Sequence, residues 1–157
     1  MLTRAAQLEH SQQGGIRRGF LTFAKIAWAL PCSTVGALLG IGVLLAGGSV
    51  RRVQRALEFS LAPGTALSSF GRALPFCAIT FGHVILGVNE SELERLRPHE
   101  HVHVRQYERL GVFFFLAYPL ASLVAWGGGR CPYRANRYEI EAIGHEIASR
   151  CAGRLGG

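Results

Sequence analysis

The chain contains no aspartate: all ten acidic residues are glutamate. That absence rules out a Ser-His-Asp triad, a paired-Asp site and an EF-hand loop, and any metal site must be built from His, Glu or Cys. Lysine is nearly missing too, with Lys25 alone against sixteen arginines. Charged residues make up 17% of the chain, below the roughly 25% typical of soluble domains. Together with twenty glycines and a positive mean hydropathy, this points toward membrane contact. Four cysteines are present, Cys32, Cys77, Cys131 and Cys151. They form no C-x-x-C pair, so free, buried thiols are expected rather than a disulfide framework or a zinc ribbon.

At 157 residues the chain fits one domain with a real core. The formal charge of +7 comes from scattered arginines with no basic aromatic motif. It suits a surface that meets anionic lipid headgroups, and no nucleic-acid partner is expected.

Two long stretches carry no charge at all. Residues 1–19 read as a polar tail, and residues 20–50 as a hydrophobic membrane segment. Its uncharged part, Ile26 to Val50, is long enough to cross a bilayer. Lys25 precedes it, Arg51 and Arg52 follow it, and Trp28 stands near one end as an interfacial anchor would. Gly36-x-x-x-Gly40 would allow a close helix–helix contact, and Pro31 a broken helix. The second uncharged stretch, Gly111 to Gly129, has Pro119 at its middle and Trp126 near its end.

Residues 51–150 read as one domain that includes this second stretch, with 151–157 as a C-terminal tail. Val53 to Phe59 is mixed in character, and Pro63-Gly64 marks a turn. Ala78 to Leu86 is rich in β-branched and aromatic residues and closes at Gly87, which predicts a strand. Asn89 and Ser91 offer helix caps, Ser91-x-x-Glu94 as a capping box. Pro98 suits the first turn of a new helix, expected from Pro98 to Leu110. A second polar-faced helix is expected over Tyr138–Ala148, capped by Asn136.

The first of these helices names a chemistry. His99-Glu100-His101-Val102-His103 reads H-E-x-x-H. Side chains four apart on a helix share a face, so His99 and His103 can reach one zinc ion. Glu100 lies beside the first ligand, placed to take a proton from a water polarised by that ion. His101 points to the other face and reads as solvent-exposed. Gln106 falls on the ligand face one turn after His103, where it can hydrogen-bond near the site. Tyr107, Tyr138 and His145 are candidates to stabilise an oxyanion. A third ligand must come from a later element, and Glu139 opens the only later helix. Ala142 is small enough to let that helix approach closely.

With these residues the chain resembles the gluzincin metallopeptidases, in which an H-E-x-x-H helix is followed by a helix carrying a Glu ligand. It is most similar to compact membrane gluzincins related to the CAAX-type endopeptidases, and to small bacterial membrane proteins. The signature shared with the latter runs His99-Glu100-His101-Val102-His103-Val104-Arg105-Gln106-Tyr107-Glu108, then Asn136-x-x-Glu139-x-Glu141-Ala142. The resemblance covers roughly residues 78–148. It implies His99, His103 and Glu139 as zinc ligands and Glu100 as general base. It also implies that the strand Ile79–Leu86 is an edge that pairs with an extended peptide, with Ile79, Phe81 and His83 binding substrate. On the residues alone, His83 reads as a partly buried histidine with satisfied partners. Where many such enzymes carry an Asp one turn after the ligand Glu, this chain has Ile143; Glu146 lies on the same face a further turn on, and Glu141 and His145 are the other candidates to substitute.

The expected fold is therefore α+β, a mostly helical membrane-associated domain with a short antiparallel sheet before the H-E-x-x-H helix. The expected function is a zinc-dependent endopeptidase acting on a peptide or protein. A non-catalytic metal-binding or structural membrane protein of the same fold is the alternative. Membrane lipid is the other expected partner, in a bacterial inner membrane with the active face cytoplasmic. If Gly111–Gly129 crossed the bilayer, His103 and Glu139 would lie on opposite sides, so this run is expected not to span.

Overall fold

The computed structural model describes the backbone of residues 2–65, 69, 71, 73 and 76–155, and the side chains of 23–65, 69, 71, 73 and 76–152. Helix α1 (Leu2–Leu45) opens the chain. The side chains of the polar tail at 1–19 lie outside the described residues. From Phe23 on, the buried positions of α1 are Ala29, Cys32, Gly36, Gly40 and Val43. Their spacing of three and four places them in one stripe along the helix. The other faces stay exposed and apolar, with Trp28, Leu30, Val35, Leu38, Leu39 and Ile41. The helix passes through Pro31 without a break.

The buried stripe of α1 rests on a four-stranded sheet of β1 (Ser49–Val53), β2 (Ala56–Ser60), β3 (Ala78–Phe81) and β4 (Val84–Gly87). The strand order is β1-β2-β4-β3. Gly36 and Gly40 permit this contact. A Cβ at Gly36 would come within 2.7 Å of the Val84 Cβ, and one at Gly40 within 2.7 Å of the Phe59 ring. The small-residue pair thus brings the helix onto a sheet, not onto a second helix.

Two strand expectations need correction. The sheet is mixed: β1/β2 and β3/β4 are antiparallel, but β2 and β4 run parallel. The single strand expected over residues 78–86 is a hairpin that turns at Gly82-His83. Gly82 has φ +61°, which L side chains rarely adopt. The β1/β2 hairpin went unread because its turn, Gln54-Arg55, lacks the usual glycine; Gln54 itself takes φ 53°.

The β3/β4 turn docks on α1. Ser33 Oγ accepts from the His83 N–H (2.9 Å) and donates to the Ala29 carbonyl (3.0 Å). A Cβ at Gly82 would meet the backbone N of Ser33 at 2.7 Å and the Ala29 carbonyl at 2.9 Å. Gly82→Ala therefore combines left-handed strain with a clash against helix backbone. It is expected to cost about 2 kcal/mol. Thermal unfolding would read this as a fall of about 4–8 °C. An unchanged midpoint would show that the turn does not dock as described.

Helix α2 (Glu90–Leu110) starts eight residues before the expected Pro98 and runs through that proline. Asn89 is the cap, its Oδ1 accepting from the Glu92 N–H at 2.8 Å. Ser91 forms no capping box and donates to Asn89 instead. Near Pro98 the helix is pinned to the sheet by a two-pronged contact of Arg97 with the buried Glu58 of β2, at 2.9 Å for each prong. Such a pin helps hold a helix across a proline that removes one of its hydrogen bonds.

Gly111 ends α2 at φ 56°, with the Trp28 indole lying where a Cβ would project. A 3₁₀ turn (Gly111–Phe113) leads into α3 (Phe114–Gly127). Two helical stretches, Phe23–Leu45 and Glu90–Gly127, are long and apolar enough by length and composition to cross a membrane. The uncharged part of the second opens with the 3₁₀ turn. Its α3 portion, at 14 residues, extends only about 21 Å. Helix α4 (Arg137–Leu155) follows. Asn136 opens it as expected, with Oδ1 accepting from the Tyr138 N–H at 2.9 Å. Its amide also donates to the Tyr118 carbonyl and to Ser122 Oγ (3.0 and 2.9 Å), tying α3 to α4. Ala142 is fully buried where α4 packs on α2.

Candidate metal centre

Helix α2 presents His99 and His103 on one face, and the start of α4 brings Glu139 opposite them. All three side chains are buried. The two Nε2 atoms stand 3.2 Å apart. Glu139 Oε2 lies 3.3 Å from His99 Nε2, and Oε1 lies 3.4 Å from His103 Nε2. These residues form a group that can hold a metal ion.

The tautomers bear on that group. His103 Nδ1 lies 2.8 Å from Gln106 Oε1. The Gln106 amide is oriented by its own donations to the Tyr138 carbonyl (3.0 Å) and Glu141 (2.9 Å). An amide oxygen only accepts, so His103 carries a proton on Nδ1. His99 Nδ1 faces Glu146 Oε2 at 3.5 Å, without a hydrogen bond. The two Nε2 atoms and the Glu139 carboxylate converge on one point. Glu139 Oε2 is buried with no hydrogen-bond partner. A cation at the centre satisfies all three atoms at once. Burial alone would raise the Glu139 carboxyl, but the His103 and His99 imidazoles and the Tyr118 hydroxyl hold it far below the carboxylate range. Tyr118 donates to Glu139 Oε1 at 2.6 Å.

Glu146 is the carboxylate that the structure places nearest His99 Nδ1. Outer partners of ligand histidines fix ring orientation, and their loss costs roughly 10–100-fold in metal affinity. Glu146→Ala is expected to weaken metal binding within that range, measured by competition with a chromogenic chelator. Wild-type affinity in this variant would remove Glu146 from the site.

Glu100 lies beside the group, buried, with Oε2 accepting from Thr80 Oγ1 of β3 at 2.7 Å. Burial pushes its carboxyl up, against the pull of His103, the Thr80 hydrogen bond and His99. His99, Glu100, His103 and Glu139 all border one cavity of about 620 Å³. Strand β3, the outer strand of the sheet, forms one wall with Ile79, Thr80 and Phe81. Phe114, Phe115, Tyr118 and Pro119 form another, and Tyr133 joins them from the α3–α4 connection.

The structure thus brings together His99, His103, Glu139, Glu100, Ile79 and Phe81. It does not bring His83, whose ring sits in the hairpin turn with Nε2 3.3 Å from the buried Glu108. His101 is a correction: it is buried, not solvent-exposed, and its Nε2 lies 3.6 Å from Glu58. Tyr107 borders the cavity but packs edge-on to Phe114. Tyr138 lies outside it beneath the Arg137 guanidinium, and His145 is exposed. All four cysteines are free, but only Cys32 is buried. Thr80, Tyr118 and Tyr133 went unread, since nothing local in sequence marks a residue that meets a site only through the fold. No protein-family model, curated protein or solved structure matches the chain.

Proposed function

We propose that this protein is a membrane-associated zinc endopeptidase of minimal gluzincin type. The observation that carries the reading is the triangle of three donor groups: the two histidine Nε2 atoms stand 3.2 Å apart, and the Glu139 carboxylate faces both, with Oε2 3.3 Å from His99 and Oε1 3.4 Å from His103. Donors set tetrahedrally at the roughly 2.0–2.1 Å of zinc bonds to His and Glu lie about 3.3 Å apart. Two histidines and one glutamate leave a fourth position for water or substrate. A zinc ion bound there supplies Lewis acidity, polarising a carbonyl oxygen and making a water acidic near neutral pH. With such an ion bound, Glu100 would be the residue to accept a proton from the attacking water and return it to the leaving amine. Thr80 fixes one Glu100 oxygen and leaves the other free for this transfer. The test is metal analysis of purified protein, followed by peptide-library cleavage with and without a chelator. Absence of zinc would end the proposal, and zinc without cleavage would make the protein a non-catalytic relative.

The membrane part of the reading rests on α1. From Phe23 to Leu45 its faces off the sheet are mainly apolar and exposed, as lipid contact requires. We place residues 51–157 on one side of a bacterial inner membrane, on the cytoplasmic face, with α1, packed on the sheet from Ala29 to Val43, lying against lipid by those faces. In support, ligands to one ion are bonded at about 2 Å, whereas a hydrocarbon core is roughly 30 Å thick. Ser91, converted to Cys in a chain with the other native cysteines removed, and the exposed native Cys131 lie on either side of the apolar stretch. Both are expected to share one response to an impermeant thiol reagent in intact cells. Labelling of one and protection of the other would refute the shared site.

A further inference from the structure

The cavity that borders the metal centre limits what can enter it. Apart from His99, His103, Glu139 and Glu100, none of its lining side chains carries a charge. The remaining walls are mainly apolar: Phe76, Ile79 and Phe81 on the strand side face Phe114, Phe115 and Pro119 on the α3 side, and the polar groups among them are the hydroxyls of Thr80 and three tyrosines. The Phe81 and Phe115 rings approach to 6.1 Å between centroids. A lysine or glutamate side chain entering here would lose its hydration and find no partner, whereas an aromatic or branched aliphatic one would gain by burial. The volume, about 620 Å³, falls among pockets of roughly 300–1,000 Å³ that enclose ligands larger than a single small metabolite.

The rim carries the same chemistry outward. Phe76 and Phe115 are 40% and 39% exposed. Around Phe115 the surface continues with the exposed Phe113 of the 3₁₀ turn and Leu116 and Leu120 of α3. Phe113 meets Trp28 of α1, ring to ring at 6.0 Å. The cavity mouth is thus continuous with the apolar exterior of both helices. A soluble polar peptide finds no complementary surface there, whereas a segment already lying in a lipid interface does.

We infer that the substrate is an apolar polypeptide segment at the membrane surface, presenting a bulky uncharged side chain to the cavity between β3 and α3. This rests on the peptidase reading for the identification of the ligand as a peptide. The experiment uses full-length Glu100→Gln protein in phospholipid vesicles supplied with zinc. The probes are three fluorescent alanine-rich peptides, identical except for a central Phe, Glu or Lys, each with and without an N-terminal palmitoyl chain. Binding is read by anisotropy. The Phe peptide is expected to bind about tenfold or more tighter than either charged peptide. Its palmitoylated form should bind tighter than the free form by a further tenfold or about that, through local concentration at the lipid. Phe115→Ser and, separately, Phe76→Ser should bring the Phe peptide down toward the charged ones. Equal binding of the three, no binding of any, or a preference untouched by both substitutions overturns the inference. Equal binding of the palmitoylated and free forms overturns delivery from the membrane. Zinc is quantified on the same samples. A preference without zinc upholds the cavity's selectivity and removes the peptidase reading, while zinc without a preference does the reverse.

Discussion

Glu139→Gln is expected to abolish the metal binding proposed for this site. The carboxylate contributes an anionic donor group that faces both histidines. Its Oε2 is buried without a hydrogen-bond partner, and a carboxamide there offers a weaker neutral oxygen or a clashing NH₂. Losing an outer partner of a metal site costs roughly 10–100-fold in affinity, and losing a ligand of a three-ligand site should exceed that. The amide oxygen can still accept from Tyr118 and the residue keeps its shape, so helix content should be preserved in circular dichroism. Chelator competition and metal analysis are the measurements. Zinc held by Glu139→Gln at wild-type stoichiometry and affinity would show that the ion, if one binds, sits elsewhere.

The site was legible to the extent that its chemistry is local. His99, Glu100 and His103 lie in one helical turn, so spacing alone places them on one face. Gln106, one further turn on, was legible for the same reason, and it sets the tautomer of His103. Glu139 needed the helix that follows Asn136 and a small Ala142 to bring it close. Thr80 and Tyr118 could not be read. Each touches a site carboxylate across a long stretch of chain, and a threonine in a strand or a tyrosine in an apolar run carries no mark of that. His101 misled because a residue off the ligand face of a helix was taken to face water. The sheet covers that face, and Glu58 and Arg97 wait there.

Fold expectations failed where turn chemistry was atypical. Alternation continues through Gly82-His83, so a hairpin of two four-residue strands reads as one strand. Gln54-Arg55 carries no glycine, so the first hairpin was invisible. The parallel pairing of β2 with β4 depends on the path between them, which no local pattern reports. Pro98 suggested a boundary because proline usually breaks helices, but the cap at Asn89 and the Arg97–Glu58 pin hold the turn before it. That the second apolar stretch does not span is an expectation from a geometric constraint and not from pattern: two ligands of one ion would not stand on opposite sides of a bilayer.

Glu100→Gln is expected to separate chemistry from metal binding. The glutamate makes no edge of the donor triangle, and its contact with the fold is the hydrogen bond from Thr80. A glutamine oxygen accepts that bond equally well. Zinc content and affinity should therefore stay at wild-type values. Stability should hold or rise, because a neutral amide escapes the desolvation cost of a carboxylate buried beside the site. What the amide cannot do is accept a proton. General acid–base groups contribute about 10²–10⁴-fold to rate, so turnover of any peptide cut by the wild type should fall by that factor while peptide binding persists. The measurements are zinc stoichiometry, thermal midpoint and cleavage rate on one preparation. A variant that loses zinc or unfolds would make Glu100 a structural residue, and one that cleaves at the wild-type rate would remove it from the reaction altogether.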